Sequence, residues 1–162
     1  MYDHVESPGD HQLALSAWKQ AIQLGNQALT DKLMEKARIN YQVALHMARA
    51  MARATSDWGT GISVLQTDRI MAAWVVTQHN LADLYVQIGL LGRAAEHLCD
   101  AHEFIFGLRN HPMDAVADLA LRHLRITGME LMVFLQKYGD YPRISQTLWA
   151  TQIPFSPLSP TQ

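Results

Sequence analysis

Apolar residues recur along this 162-residue chain at steps of three and four. Steps of three and four place side chains on one face of an α-helix, whereas a half-buried strand needs a period of two. The clearest stripe is Met34, Ala37, Tyr41, Ala44, Leu45, Ala48, Met51 and Ala52. Ala14, Leu15, Trp18, Ala21, Ile22 and Gly25 form one before it. Ile70, Ala73, Trp74, Leu81, Leu84, Tyr85 and Ile88 form one after it. Two-residue hairpin signals are absent, so the chain is predicted to be all-α.

Local chemistry divides the helices. In Ser7-Pro8-Gly9-Asp10, Ser7 suits an N-cap, Pro8 the first helical position, and Asp10 the positive end of the helix dipole. Thr30 or Asp31 opens a second helix that runs to about Ala54. The stretch Thr55-Ser56-Asp57-Trp58-Gly59-Thr60-Gly61 is the clearest break and the expected protease-sensitive linker. Ser63 and Gln66 have capping-box spacing for a third helix, and Gly89 suits its end. A fourth covers roughly Leu91 to Leu108, until Asn110-His111-Pro112 breaks it. Pro112 and Asp114 suit the first turn of a fifth helix ending near Gly139, and a short sixth covers Ile144 to Ala150. Six helices with short connections imply three antiparallel pairs, at approximately 8–54, 62–109 and 112–151. They form a single domain over 1–152, followed by a proline-rich tail, 153–162.

Composition narrows the function classes. Apolar residues make up 49% and charged ones 17%, as in a globular chain with a core of its own. The formal net charge of −2 gives no general attraction to nucleic acid or to an anionic membrane. The arginine pairs Arg49 with Arg53 and Arg122 with Arg125 read as solvated face charges rather than a phosphate-binding stripe. Cys99 is the one cysteine, so no internal disulfide forms, and it is expected to be an inert, partly buried thiol. Met1 to Gln12 lacks the basic and apolar segments of a signal peptide, and no apolar run approaches the roughly 18 residues of a membrane span. A cytoplasmic protein is expected.

Few residues form a pattern that carries chemistry. Gly59-Thr60-Gly61 follows no strand and so is not a dinucleotide fingerprint, and nothing resembles a nucleophile elbow. Helical metal ligands must be three or four apart to converge on one ion. His79 with Asp83, and His97 with Asp100, meet that spacing, but Glu-x-x-His and His-Glu-x-x-His are absent. The expectation is a protein with no metal, no cofactor and no catalytic residues. The alternative is a metal-binding or enzymatic bundle using His79, Asp83, His97 and Asp100.

The middle pair carries Leu81-Ala82, Tyr85, Gly89, Ala94, Leu98 and Ala101, and these types at these spacings resemble a tetratricopeptide repeat. Small residues let two helices approach, large ones fill the space between them, and glycine permits the tight turn. Leu24-Gly25, Ala28, Ala37, Tyr41 and Ala44 fit the same frame, with Lys32 in place of the turn glycine. Leu131, Leu135, Gly139-Asp140-Tyr141, Ile144 and Leu148 fit it a third time, without the small residues. The steps are irregular: 57 positions from Leu24 to Leu81 and 50 from Leu81 to Leu131, against about 34 in a regular array. The tryptophan usual in the first helix of each pair is missing, Trp74 lying about one turn from its place. The resemblance implies a right-handed stack or, given the register, an irregular helical bundle.

It further implies a concave groove lined by the first helix of each pair. That groove would show Lys19, Ile22, Asn26 and Leu29, then Val76, His79, Asp83, Val86 and Gln87, then Ile126, Met129, Val133 and Gln136. Such a surface suits a peptide or partner helix, as in an interaction scaffold or chaperone-like adaptor. The competing expectation is that extra helix length fills the groove and makes these residues core. Asn26 and Asn80 fall where some family members clamp acidic C-termini, but the cationic places hold Ile22, Ile126 and Glu130, which excludes that mode. Met129, Leu131, Met132, Val133, Phe134 and Leu135 make the third pair apolar on nearly every side, so the expectation is a homodimer through this end, the alternative being full cover by Leu148, Trp149 and the proline-rich tail.

Overall fold

A computed structural model describes residues 8–54 and 62–152. Six helices are present: α1 (Pro8–Thr30), α2 (Met34–Ala54), α3 (Val64–Gln87), α4 (Leu91–Gly107), α5 (Asp114–Tyr138) and α6 (Pro142–Ala150). No strand occurs among the described residues, and no helix among them is long and apolar enough to cross a membrane. The Ser7 cap, the linker from Thr55 to Gly61 and the proline-rich tail lie outside the described residues.

The helix boundaries follow from local chemistry. Ser63 caps α3 by accepting from the Gln66 backbone N–H, and the Gln66 side chain accepts from the Ser63 N–H, a complete capping box. α5 begins at Asp114, two residues later than expected. Pro112 lies just outside it, where the Met113 N–H donates to the His111 ring at 3.1 Å. α6 begins two residues earlier than expected, because Pro142 takes a first-turn position where its missing N–H costs nothing.

Two turns have one design. After α3, Gly89 N–H donates to Val86 and Leu90 N–H reaches back to Tyr85 at 2.8 Å, with Gly89 at φ +79°. After α1, Lys32 N–H donates to Leu29 and Leu33 N–H to Ala28 at 2.8 Å, with Lys32 at φ +59°. Both close the helix with an αL residue and a bond from the next N–H to a carbonyl five residues back. Lys32 thus occupies the left-handed conformation that glycine takes 57 positions later, despite having a Cβ.

The pairs pack antiparallel and closely. In the first, Ala37, Ala44 and Ala48 of α2 are completely buried, and the Tyr41 ring lies directly on the α1 backbone at Gly25. A Cβ at Gly25 would sit well inside van der Waals contact with that ring. The Tyr41 hydroxyl then donates to Asn26 Oδ1 at 2.7 Å. In the second pair Ala94 and Ala101 are completely buried, and the Trp74 and Phe104 rings pack at a 36° tilt with centroids 4.6 Å apart.

α2 also packs on α3, and α4 on α5, so the pairs join into one stack with a single hydrophobic core. α1, α3 and α5 run parallel and touch one another in turn along one side. The buried Trp18 indole of α1 donates to Thr77 of α3 at 2.8 Å, and His123 of α5 meets Asp68 of α3 at 2.8 Å.

The third pair is built differently. α6 packs mainly on α4 and only lightly on α5. Arg143 donates through both terminal nitrogens to the Glu103 carboxylate, at 2.5 and 3.0 Å. His102 of α4 bridges Thr127 of α5 at 2.7 Å and Thr151, just past α6, at 2.9 Å. At this end polar bonds join the buried Ile144, Leu131 and Phe134 in place of the alanine contacts of the other two pairs.

Replacing Lys32 with glycine relieves the Cβ conflict of the left-handed backbone, less glycine's greater freedom when unfolded. The variant is expected to gain about 0.5–1 kcal/mol. Thermal melting checks it, and a lower midpoint would show that Lys32 contributes contacts outweighing its backbone strain.

Candidate functional site

α1, α3 and α5 meet along one side, a face indented by two recesses, and its residues follow from α3. Arg69, Ala72, Val76, Asp83 and Gln87 are separated by three, four, seven and four positions, and so share one face of that helix. The opposite face of α3 carries the buried Ile70, Leu81 and Tyr85. The matching stripe on α5 is Ile126, Met129 and Val133, which remain 53%, 63% and 45% exposed. Val76 is 39% exposed. These four side chains reach solvent and are not part of the hydrophobic core.

Two recesses lie on this face. One, of about 260 Å³, is lined by Gln12, Ser16, Trp18 and Lys19 of α1 with Arg69 and Ala72 of α3. The other, of about 330 Å³, lies toward the C-terminal ends of the helices. Leu29, Asp83, Val86, Gln87 and Val133 line it, all of them expected in the groove. Glu130, Phe134, Lys137 and Tyr138 line it too, and sequence reasoning did not place them there. Glu130 and Lys137 are seven apart on the α5 flank facing α3, and that spacing was the available signal.

Other expected residues fall elsewhere. Ile22 is only 8% exposed and belongs to the hydrophobic core. Asn26 is exposed but its side-chain oxygen is taken by Tyr41. Among the third-pair residues expected at a dimer face, Leu131 and Phe134 are buried, whereas Met129, Met132 and Val133 are exposed, as is Trp149 of α6.

The four candidate metal ligands do not converge. His79 and Asp83 stay close enough to interact electrostatically. His97 instead lies between α3 and α4, its ring stacked on Tyr85 at 5.3 Å and its Nδ1 at 2.6 Å from Gln78 Oε1. Asp100 turns to Arg143 at 3.6 Å. No group of three or more His, Cys, Asp or Glu suited to a metal ion occurs among the described residues. Cys99 is buried, and burial pushes its thiol pKa up, which keeps it a poor nucleophile.

Residues 16–156 match the family described as "Protein of unknown function (DUF2753)". The chain belongs to that family. The matched segment runs from within α1 past the end of α6, and so includes the whole of α3 and α5 and both carboxylates of the larger recess. No curated protein matches the chain, and no solved structure does.

The electrostatics of the face follow from its recessed wall. Asp83 reaches solvent, yet the wall around it removes enough water to raise its carboxyl pKa, and Glu130 raises it further. His79 and Lys137 pull it back only in part. His79 is itself pushed down by burial, and Asp83 offsets this incompletely. Its Nε2 is buried with no hydrogen-bond partner among the described residues, which fits a neutral ring.

His97 and His102 are likewise lowered by burial. A histidine with a lowered folded-state pKa binds its proton more readily when unfolded. The stability all three support is therefore complete above the ordinary histidine value of about 6.5 and falls as pH drops below it. Melting temperature is expected to fall between pH 7.5 and 5.5, and to fall less in His79→Asn. An equal fall in both would remove His79 from that account.

Proposed function

We propose that this protein is a cytoplasmic, tetratricopeptide-like interaction scaffold or chaperone-like adaptor that holds a peptide or partner helix on the concave face of α1, α3 and α5. The observation that carries this reading is the open stripe of Val76, Ile126, Met129 and Val133, flanked by a recess at each end. Apolar side chains clustered on a concave surface lose unfavourable hydration when a partner covers them. The repeat-like part of the reading is supported by the two αL turns 57 positions apart and by the lateral packing of the odd-numbered helices. The exposed Met132 and Trp149 favour self-association at the C-terminal end as an additional property. Light scattering at micromolar concentration tests it, and a monomer at every concentration would remove it.

Position-specific photocrosslinking tests the main reading. Benzoylphenylalanine at Val76 or Met129, in the cells that make the protein, is expected to give discrete partner adducts. The same group at Gln42 or Glu96, exposed on α2 and α4, is expected to give none. Adducts from Gln42 and Glu96 alone, or from no position, would contradict the proposed face.

A further inference from the structure

The concave face changes sign along its length. Toward the N-terminal ends of the helices, one recess brings together Lys19 of α1 and Arg69 of α3. Toward the C-terminal ends, the other brings together the carboxylates of Asp83 and Glu130. Lys137 is the cation lining that second recess, and its ammonium lies 5.3 Å from the Tyr138 ring centroid. One lysine against two carboxylates leaves that end negative. The exposed Val76, Ile126 and Met129 lie between the two ends. From Arg69 to Asp83 the α3 axis advances 14 residues, or about 21 Å at 1.5 Å per residue.

We propose that the occupant of this face is an amphipathic helix of about four to five turns, lying parallel to α3, with acidic side chains in its first turn over Lys19 and Arg69 and a basic side chain in its last turn within the Asp83–Glu130 recess. The proposal rests on the reading of this face as a docking surface and adds the partner's chemistry and direction.

Three arguments converge on it. The first is charge complementarity at both ends of an apolar strip, which fixes register and direction more than affinity. The second is backbone hydrogen bonding. Every wall of the groove is helical, so it offers no strand edge to pair with the N–H and C=O groups of an extended peptide, whereas a helix satisfies its own. The third is the partner's own stability. Acids in the first turn and bases in the last complement the helix dipole, so the ligand suited to this face is also one that holds its helix before binding. Its apolar side chains at steps of three and four would meet Val76, Ile126, Met129 and Val133.

A phage-displayed library provides the probe: 18-residue helices with a fixed leucine–alanine stripe, randomised in the first and last turns, selected against the full chain. Selected sequences are expected to be enriched in Asp and Glu in the first turn and in Lys and Arg in the last. By fluorescence anisotropy, exchanging the terminal charges of a selected peptide is expected to weaken binding to the unaltered protein at least tenfold. The Asp83→Lys, Glu130→Lys double variant is expected to bind the selected peptide at least tenfold more weakly. No charge bias, the opposite bias, or an affinity indifferent to charge exchange would overturn the proposal. Because charge exchange is read on the unaltered protein, it decides the matter even if the double variant does not fold. If no helix is selected, or binding is indifferent to Val133→Glu, the docking face itself fails, a different outcome from the loss of polarity alone.

Discussion

The architecture depends on how closely two helices approach within the first and second pairs. At Gly25 the Tyr41 ring rests on the α1 backbone, and Ala37, Ala44 and Ala48 present almost no side chain to hold the helices apart. Ala94 and Ala101 do the same between α3 and α4. Helices this close share one core face, which consumes their alanine, tyrosine and leucine stripes. Short αL turns after α1 and α3 fix the first two pairs as antiparallel, so the first helices of successive pairs run in one direction along one side. The concave face is therefore a consequence of tight pairing: it is the part of α1, α3 and α5 that the pairing leaves uncovered.

The third pair lacks that closeness, and polar chemistry takes its place. The Arg143–Glu103 pair fastens α6 to α4, and His102 joins α4, α5 and the end of α6 through two threonine hydroxyls. Hydroxyl and imidazole bonds are directional, so they fix the position of α6 beside the apolar contact of its buried Ile144. At this end Met132 of α5 and Trp149 of α6 remain exposed.

Helix type and number were legible because a stripe at steps of three and four survives any tertiary arrangement. The Ser63–Gln66 capping box and the Gly89 turn were legible because both are local. The Lys32 turn was marked as a departure from the repeat, and the structure shows what that departure entails, a non-glycine residue at positive φ. What the sequence did not disclose depends on which face of a helix a neighbour covers. Ile22 lies on the stripe assigned to the groove, but its side chain is buried in the core. His97 and Asp100 had ligand spacing, but their helix turns them toward Gln78 and Arg143, away from His79. The contacts of α6 join residues 40 to 49 positions apart, a separation with no periodic signature.

The central claim is that the concave face is open and that its apolar stripe is available to a partner. Thiol accessibility measures this directly, because Cys99 is the only native cysteine and is buried. In a Cys99→Ala background, single cysteines at Val76, Met129, Val133 and Ile22 can be titrated with a maleimide under native conditions. The account predicts rates close to those of the unfolded chain at the first three positions and strong protection at Ile22. Protection at Val76, Met129 and Val133 equal to that at Ile22 would mean the face is filled in the free protein, and would contradict the account.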